Sequence, residues 1–88
     1  MRYTLLLTRS AQKDLEALPP EVLRQVDQAL EELADNPFPP GKVKKLKGSG
    51  HPPVYRLRVG DYRVLFTVDP EAKTLTVARV KHRREAYR

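Results

Sequence analysis

The 88-residue chain has no cysteine, no tryptophan, a single methionine and only two histidines, His51 and His82. The first absence excludes disulfides, thiolate nucleophiles and cysteine-ligated zinc. Two imidazoles are too few for an ordinary histidine-rich metal site, so neither a metal nor another cofactor is expected. Long apolar runs are missing as well. The longest span three residues, such as Leu5–Leu7 and Val64–Phe66, against about 20 for a membrane helix. The opening Met1-Arg2-Tyr3 leads into an alternating segment rather than an export signal. These features predict a cytoplasmic protein without membrane contact, and the length predicts one domain over residues 1–88 with a small but adequate core.

Acid is scarce relative to base. Eleven Asp and Glu face seventeen Lys and Arg, a net charge of +6. The imbalance is not spread evenly. Residues 1–41 are mildly acidic, whereas residues 42–63 carry Lys42, Lys44, Lys45, Lys47, Arg56, Arg58 and Arg63 against Asp61 alone. A second basic block, Arg79, Lys81, Arg83, Arg84 and Arg88 with Glu85, closes the chain. Two such blocks in a small domain repel each other unless a polyanion relieves them, which points to a nucleic-acid partner.

Alternation over Tyr3, Leu5 and Leu7 predicts a strand with its odd positions inward. Ser10 is placed to cap a helix through Leu18, with Ala11, Leu15 and Leu18 on one face. Pro19-Pro20 must end that helix, yet proline suits the first turn of another. The next helix is predicted over Pro20–Asp35, where Val22, Leu23, Val26, Ala29, Leu30, Leu33 and Ala34 make an amphipathic stripe. From Asn36 the chain breaks into loops and period-two segments: Val43–Leu46, a pair of runs around Gly60-Asp61, and Thr74–Val80. The result is an α+β domain: an N-terminal strand, a two-helix hairpin, then a mainly antiparallel sheet of three to four strands.

Gly60-Asp61 as a two-residue turn sets Val59 opposite Tyr62, Arg58 opposite Arg63, Leu57 opposite Val64 and Arg56 opposite Leu65. Tyr55, Leu57, Val59, Tyr62, Val64 and Phe66 then share the helix-covered face, and Arg56, Arg58 and Arg63 share the other. Facing guanidiniums repel, so their concentration on one hairpin suggests a bound anion, and the fork of arginine suits phosphate oxygens. A solvated face that discourages edge pairing is the plainer reading of the same residues. In the terminal block, His82 adds a side chain that titrates near neutrality, and Tyr87 a ring on which a base can stack.

Four segments together, Ser10-Ala-Gln-Lys-Asp-Leu15, Lys44-Lys-Leu-Lys-Gly48, Tyr55-Arg-Leu-Arg-Val-Gly-Asp-Tyr-Arg-Val-Leu-Phe66 and Val80-Lys-His-Arg-Arg-Glu-Ala-Tyr-Arg88, resemble the RelE/ParE superfamily of type II toxins. The resemblance runs over essentially the whole chain. It implies a RelE-like fold and a toxin held inactive by a cognate antitoxin, with operator DNA bound through the antitoxin. The RelE-like branch cleaves messenger RNA in the ribosomal decoding site without metal, and the ParE-like branch inhibits DNA gyrase. Position by position, the resemblance gives Arg63 the scissile phosphate and gives catalytic roles to Arg83 and Tyr87. Arg58 and Arg56 stand where relatives carry functional lysines or arginines, and His82 matches a histidine that precedes the late arginine.

RNA cleavage without metal needs a base for the 2′-hydroxyl, cations for the phosphorane-like transition state and an acid for the departing 5′-oxygen. Arginine supplies only the second, since it does not lose its proton. The base is assigned to Tyr87, with His82 and Glu85 as alternatives. Lys44, Lys45, Lys47, Arg56 and Lys81 are expected to hold messenger or 16S ribosomal RNA phosphates. Two other readings stay open: a gyrase inhibitor, and an RNA-binding module without catalysis.

Overall fold

The computed structural model describes residues 2–48, 50 and 52–86. Strand β1 (Thr4–Leu7) leads into helices α1 (Arg9–Glu16) and α2 (Pro20–Asp35). Strands β2 (Val43–Lys45), β3 (Tyr55–Val59), β4 (Tyr62–Asp69) and β5 (Thr74–His82) follow, then one helical turn, α3 (Arg83–Ala86). All five strands join one sheet in the order β1-β5-β4-β3-β2. The first strand pairs parallel to β5, and the other three pairings are antiparallel. The predicted N-terminal strand is thus the fifth member of the sheet.

Thr8, rather than Ser10, caps α1. Its backbone is extended (φ −71°, ψ 164°), and its Oγ1 accepts the Ala11 N–H at 3.1 Å. The same hydroxyl donates to the Ala78 carbonyl at 2.8 Å, a tertiary bond that short-range pattern does not reveal. The helix stops at Glu16, two residues before the predicted end: Ala17 follows as its C-cap (φ −87°, ψ −4°), and helical backbone is disfavoured for Leu18, directly before Pro19. Proline then serves as the first helical residue of α2, whose Glu21 lies in the favourable electrostatics of the first turn.

One stripe of α2, Val26, Leu30, Leu33 and Ala34, is buried together with Ala11 and Leu15 of α1. These side chains cover Leu57, Val64, Phe66, Leu75, Val77 and Val80, the inward face of the central strands. Tyr55 packs on Phe66 at 5.8 Å between ring centres and receives the edge of Phe38 at 5.0 Å. Along β1, Tyr3 and Leu5 are half-buried as expected, but Leu7 remains 39% exposed and Leu6 45%. The strand lies at the sheet's margin and its last residue leaves the core as α1 turns away.

Because β1 stops at Leu7, the far half of β5 lacks a neighbour on that side, and α1 supplies one. Asp14 accepts the Val80 N–H at 2.9 Å and binds the Arg79 guanidinium at two points, 2.8 and 3.2 Å. Burial alone would raise the Asp14 pKa. The Arg79 and Val80 hydrogen bonds and the charges of Arg79 and Lys81 outweigh it, holding the carboxyl below its ordinary value.

Two predictions follow from this packing. Leu33→Ala empties volume beneath the sheet and should cost about 2–5 kcal/mol in a urea unfolding curve. For Asp14 the folded pKa is the lower one, so its contribution is present above the unfolded value of about 3.9 and is lost as pH falls through the folded value. The stability gap between the natural chain and Asp14→Asn should therefore be widest above about pH 4 and close on acidification. A gap independent of pH across urea midpoints would refute the assignment.

Candidate nucleic-acid interface

The hairpin register is the one predicted from its turn. Gly60 takes a positive φ of 56°, a conformation glycine adopts without steric cost, and the residues around it pair as Val59–Tyr62, Arg58–Arg63, Leu57–Val64 and Arg56–Leu65. Strand β5 adds Lys81 opposite Arg63 and Arg79 opposite Leu65. Strand β2 adds Lys44 opposite Arg56. Two cationic rows result on the face away from the helices: Arg58–Arg63–Lys81, and beside it Lys44–Arg56–Leu65–Arg79.

Within the first row the three residues differ in setting. Arg58 is exposed and Lys81 half-buried, whereas Arg63 is only 4% exposed, in the middle strand. The Arg63 Nη1 donates to the carbonyls of Gly60 at 3.0 Å and Tyr62 at 2.9 Å, so its guanidinium is held by its own turn. A buried arginine of this kind has much of its conformational freedom already removed, which suits it to a fixed oxyanion contact. Around Arg58 and Arg56 lies an open cleft of about 420 Å³, completed by Gly41, Lys42 and Lys44, with no acidic side chain in its wall among the described residues. Lys42 is a member that sequence reasoning missed. Its place before β2 in the basic block was the available signal.

A bulge decides the rest of the site. Val77 pairs with Phe66 and Arg79 with Leu65, so Ala78 is an extra residue on β5. Before it, Leu75 and Val77 point into the core; after it, Val80 does. Strict alternation would have turned Arg79 and Lys81 toward the helices and His82 toward Arg63. The bulge reverses this. Lys81 joins the cationic row, and His82 pairs with Tyr62 on the other parity, where the rings meet edge-on at 5.3 Å. The His82 Nδ1 accepts the Arg84 N–H at 3.3 Å. The sequence carried the signal: the apolar spacing Leu75, Val77, Val80 breaks period two at Ala78.

Other expected residues divide. Arg83 opens α3, its N–H donates to the Asp61 carbonyl at 2.8 Å, and its Nε lies 3.9 Å from the Asp61 carboxylate, which brings it to the hairpin turn. Glu85 is exposed on the same helical turn. Tyr87 lies outside the described residues. On β2, Lys45 pairs with Tyr55 and so has the opposite parity to Lys44, and Lys47 follows in a turn. Those two lysines are not brought into the Arg56–Arg58 cleft. Arg79, though on the cationic face, bends round the sheet edge to Asp14, and its charge is matched there.

Chemically, the first row presents two planar guanidinium forks and one compact ammonium group on three adjacent strands. No helix among the described residues is long and apolar enough to cross a membrane. The chain is 33% identical over its full length to the putative toxin RelE1 of Methanocaldococcus jannaschii, covering 98% of that protein. It is 36% identical to toxin RelG of Mycobacterium tuberculosis, again over the full chain and 99% of the relative. Among solved structures, the archaeal RelE–RelB complex from Pyrococcus horikoshii superposes with a TM-score of 0.80 at 32% identity, over 94% of this chain and 97% of that one. The family model described as the ParE toxin of the type II toxin-antitoxin system parDE matches residues 5–87. With the five-stranded fold, the full-length relatives and this match in agreement, the chain belongs to the RelE/ParE family of type II toxins.

Proposed function

We propose that this toxin is a metal-independent endoribonuclease that cleaves messenger RNA in the ribosomal decoding site and that a cognate antitoxin neutralises it. The observation that carries the reading is the Arg58–Arg63–Lys81 row, three cations in register on neighbouring strands. In the reaction the 2′-oxygen bonds to phosphorus as the 5′-oxygen leaves. A base takes the 2′-hydroxyl proton, and the departing oxygen gains one. Arg63, fixed by its turn, and Arg58, exposed beside it, stabilise the added negative charge of the phosphorane. Arg83 adds a cation from α3. Lys81 is the row's candidate proton donor, a role that arginine cannot take.

Tyr87 keeps the role of base on the strength of its place in the sequence, and His82 ranks below it because its register sets it across the sheet from Arg63. A single open face with few walls is well suited to a substrate that a larger particle positions, which supports the ribosome as the place of cutting. Lys42, Lys44 and Arg56 hold flanking phosphates. The antitoxin inference draws on the RelB-bound state of the archaeal homologue, and operator DNA would be reached through that antitoxin.

The test is end-mapping of a messenger positioned on ribosomes in EDTA. Discrete cuts leaving 2′,3′-cyclic phosphate and 5′-hydroxyl ends are expected, and Arg58→Ala, an exposed position, should slow them about 100-fold without loss of fold. Intact message from a protein that still arrests growth would favour the gyrase reading, which the ParE name of the matching family keeps in view. Binding without cuts would favour an RNA-binding module.

A pH–rate profile separates the bases. Tyr87→Phe should lose the limb that reports the base, while His82→Gln should retain it. A Tyr87→Phe enzyme with the natural profile at full rate removes Tyr87 from that role.

A further inference from the structure

Asp14 lies on α1, outside the cationic rows, yet it is bonded to the strand segment that brings Lys81 into register. Beyond Val77, β5 has no strand on its outer side among the described residues. Five contacts from Thr8 and Asp14 take that place. The Thr8 N–H donates to Val77 O at 3.1 Å, and the Thr8 hydroxyl to Ala78 O at 2.8 Å, on the bulged residue itself. Asp14 Oδ2 accepts the Val80 N–H at 2.9 Å and the Arg79 Nε at 2.8 Å, while Oδ1 accepts Arg79 Nη2 at 3.2 Å. Thr8 is also the N-cap of α1, so one end of the helix is tied to the bulge and the other to the residues after it. The charged groups facing Asp14 are Arg79 and Lys81, both on β5.

We propose that Thr8 and Asp14 form a register lock on β5, and that Asp14 is a positioning residue for Lys81 in the cleavage reaction. The physical need is clear from parity. One extra residue at Ala78 turns Lys81 from the helix side to the face that holds Arg58 and Arg63. A bulge leaves its strand's hydrogen bonds unpaired unless another element takes them. Here α1 takes both the Ala78 carbonyl and the Val80 N–H, the two groups that flank Arg79. By pairing with Arg79, Asp14 also fixes the residue two positions before Lys81 on the same strand. The activity part of this inference rests on the endoribonuclease reading, whereas the lock itself is independent of it.

The experiment has two arms. In the first, cutting of ribosome-bound message is measured for Asp14→Ala, Asp14→Asn, Lys81→Ala and the double variant Asp14→Ala/Lys81→Ala. Asp14→Ala should lower kcat about tenfold with KM within twofold of the natural value, and Asp14→Asn, which keeps an oxygen for Val80, should recover part of it. In the Lys81→Ala background, Asp14→Ala should change nothing further, since a residue acting through Lys81 has no separate effect once Lys81 is gone. Full additivity, or a loss that appears only in KM, overturns the positioning role. In the second arm, amide hydrogen exchange is followed in the folded protein. The Val80 amide should exchange at least tenfold faster in Asp14→Ala, while that of Val64 on the central strand keeps its rate. An unchanged Val80 rate overturns the lock. A natural protein that cuts no message removes the endoribonuclease reading instead, and the exchange arm still decides whether the lock exists.

Discussion

The ladder between β4 and β5, shifted once at Ala78, is the constraint on which the rest of the structure depends. Eight residues of β4 are paired along it, from Tyr62 to Asp69, and the shift between Leu65 and Phe66 divides them into two registers. On one side of the division Leu75 and Val77 complete the core; on the other Val80 does, and Lys81 is released to the far face. A one-residue change of register exchanges every side chain beyond it between the two faces. Core packing and the cationic row are therefore satisfied together by a single extra residue. The helices depend on it in turn, because α1 is anchored at both ends to the segment the bulge creates.

Charge follows the same division of labour. The acidic side chains of α2, Glu21, Asp27, Glu31, Glu32 and Asp35, belong to the layer on the other side of the sheet from the cationic rows. Arg2 is paired with Glu31 and Asp35 of that layer. The net charge of +6 thus understates the polarity of the molecule, which is basic on one face and largely compensated on the other. Among the basic residues, Arg79 shows that formal charge and available charge differ: its guanidinium already has a carboxylate partner at 2.8 Å.

Much of this was legible from residue order. Gly60-Asp61 set the hairpin register, since a two-residue turn leaves a single way to pair its flanks, and the stripe of α2 gave its bounds at Pro20 and Asp35. Where reading failed, the deciding interaction lay far along the chain. Thr8 outcompetes Ser10 as a cap because its hydroxyl has a partner 70 residues away. His82, an alternative base by sequence, is set on the other parity from Arg63 by the register shift at Ala78. The burial of Arg63 was hidden for a similar reason: pattern gives the face of a residue, but its depth depends on which strands lie on either side. The resemblance of the motifs to a toxin family was sound, and the arrangement of their side chains still had to be worked out from the register.

One feature of the sheet bears on when the protein exists at all. Its outermost first strand, Thr4–Leu7, is held by Thr74–Val77 of the last, in parallel. A nascent chain that has emerged as far as the second helix has nothing on which to lay that strand, and the third member of the cationic row lies later still, at position 81. Closing a loop of this length is slow compared with forming helices or a hairpin. The first strand and the Lys81 end of the cationic row are therefore the last parts of the sheet to be set, because both wait for β5.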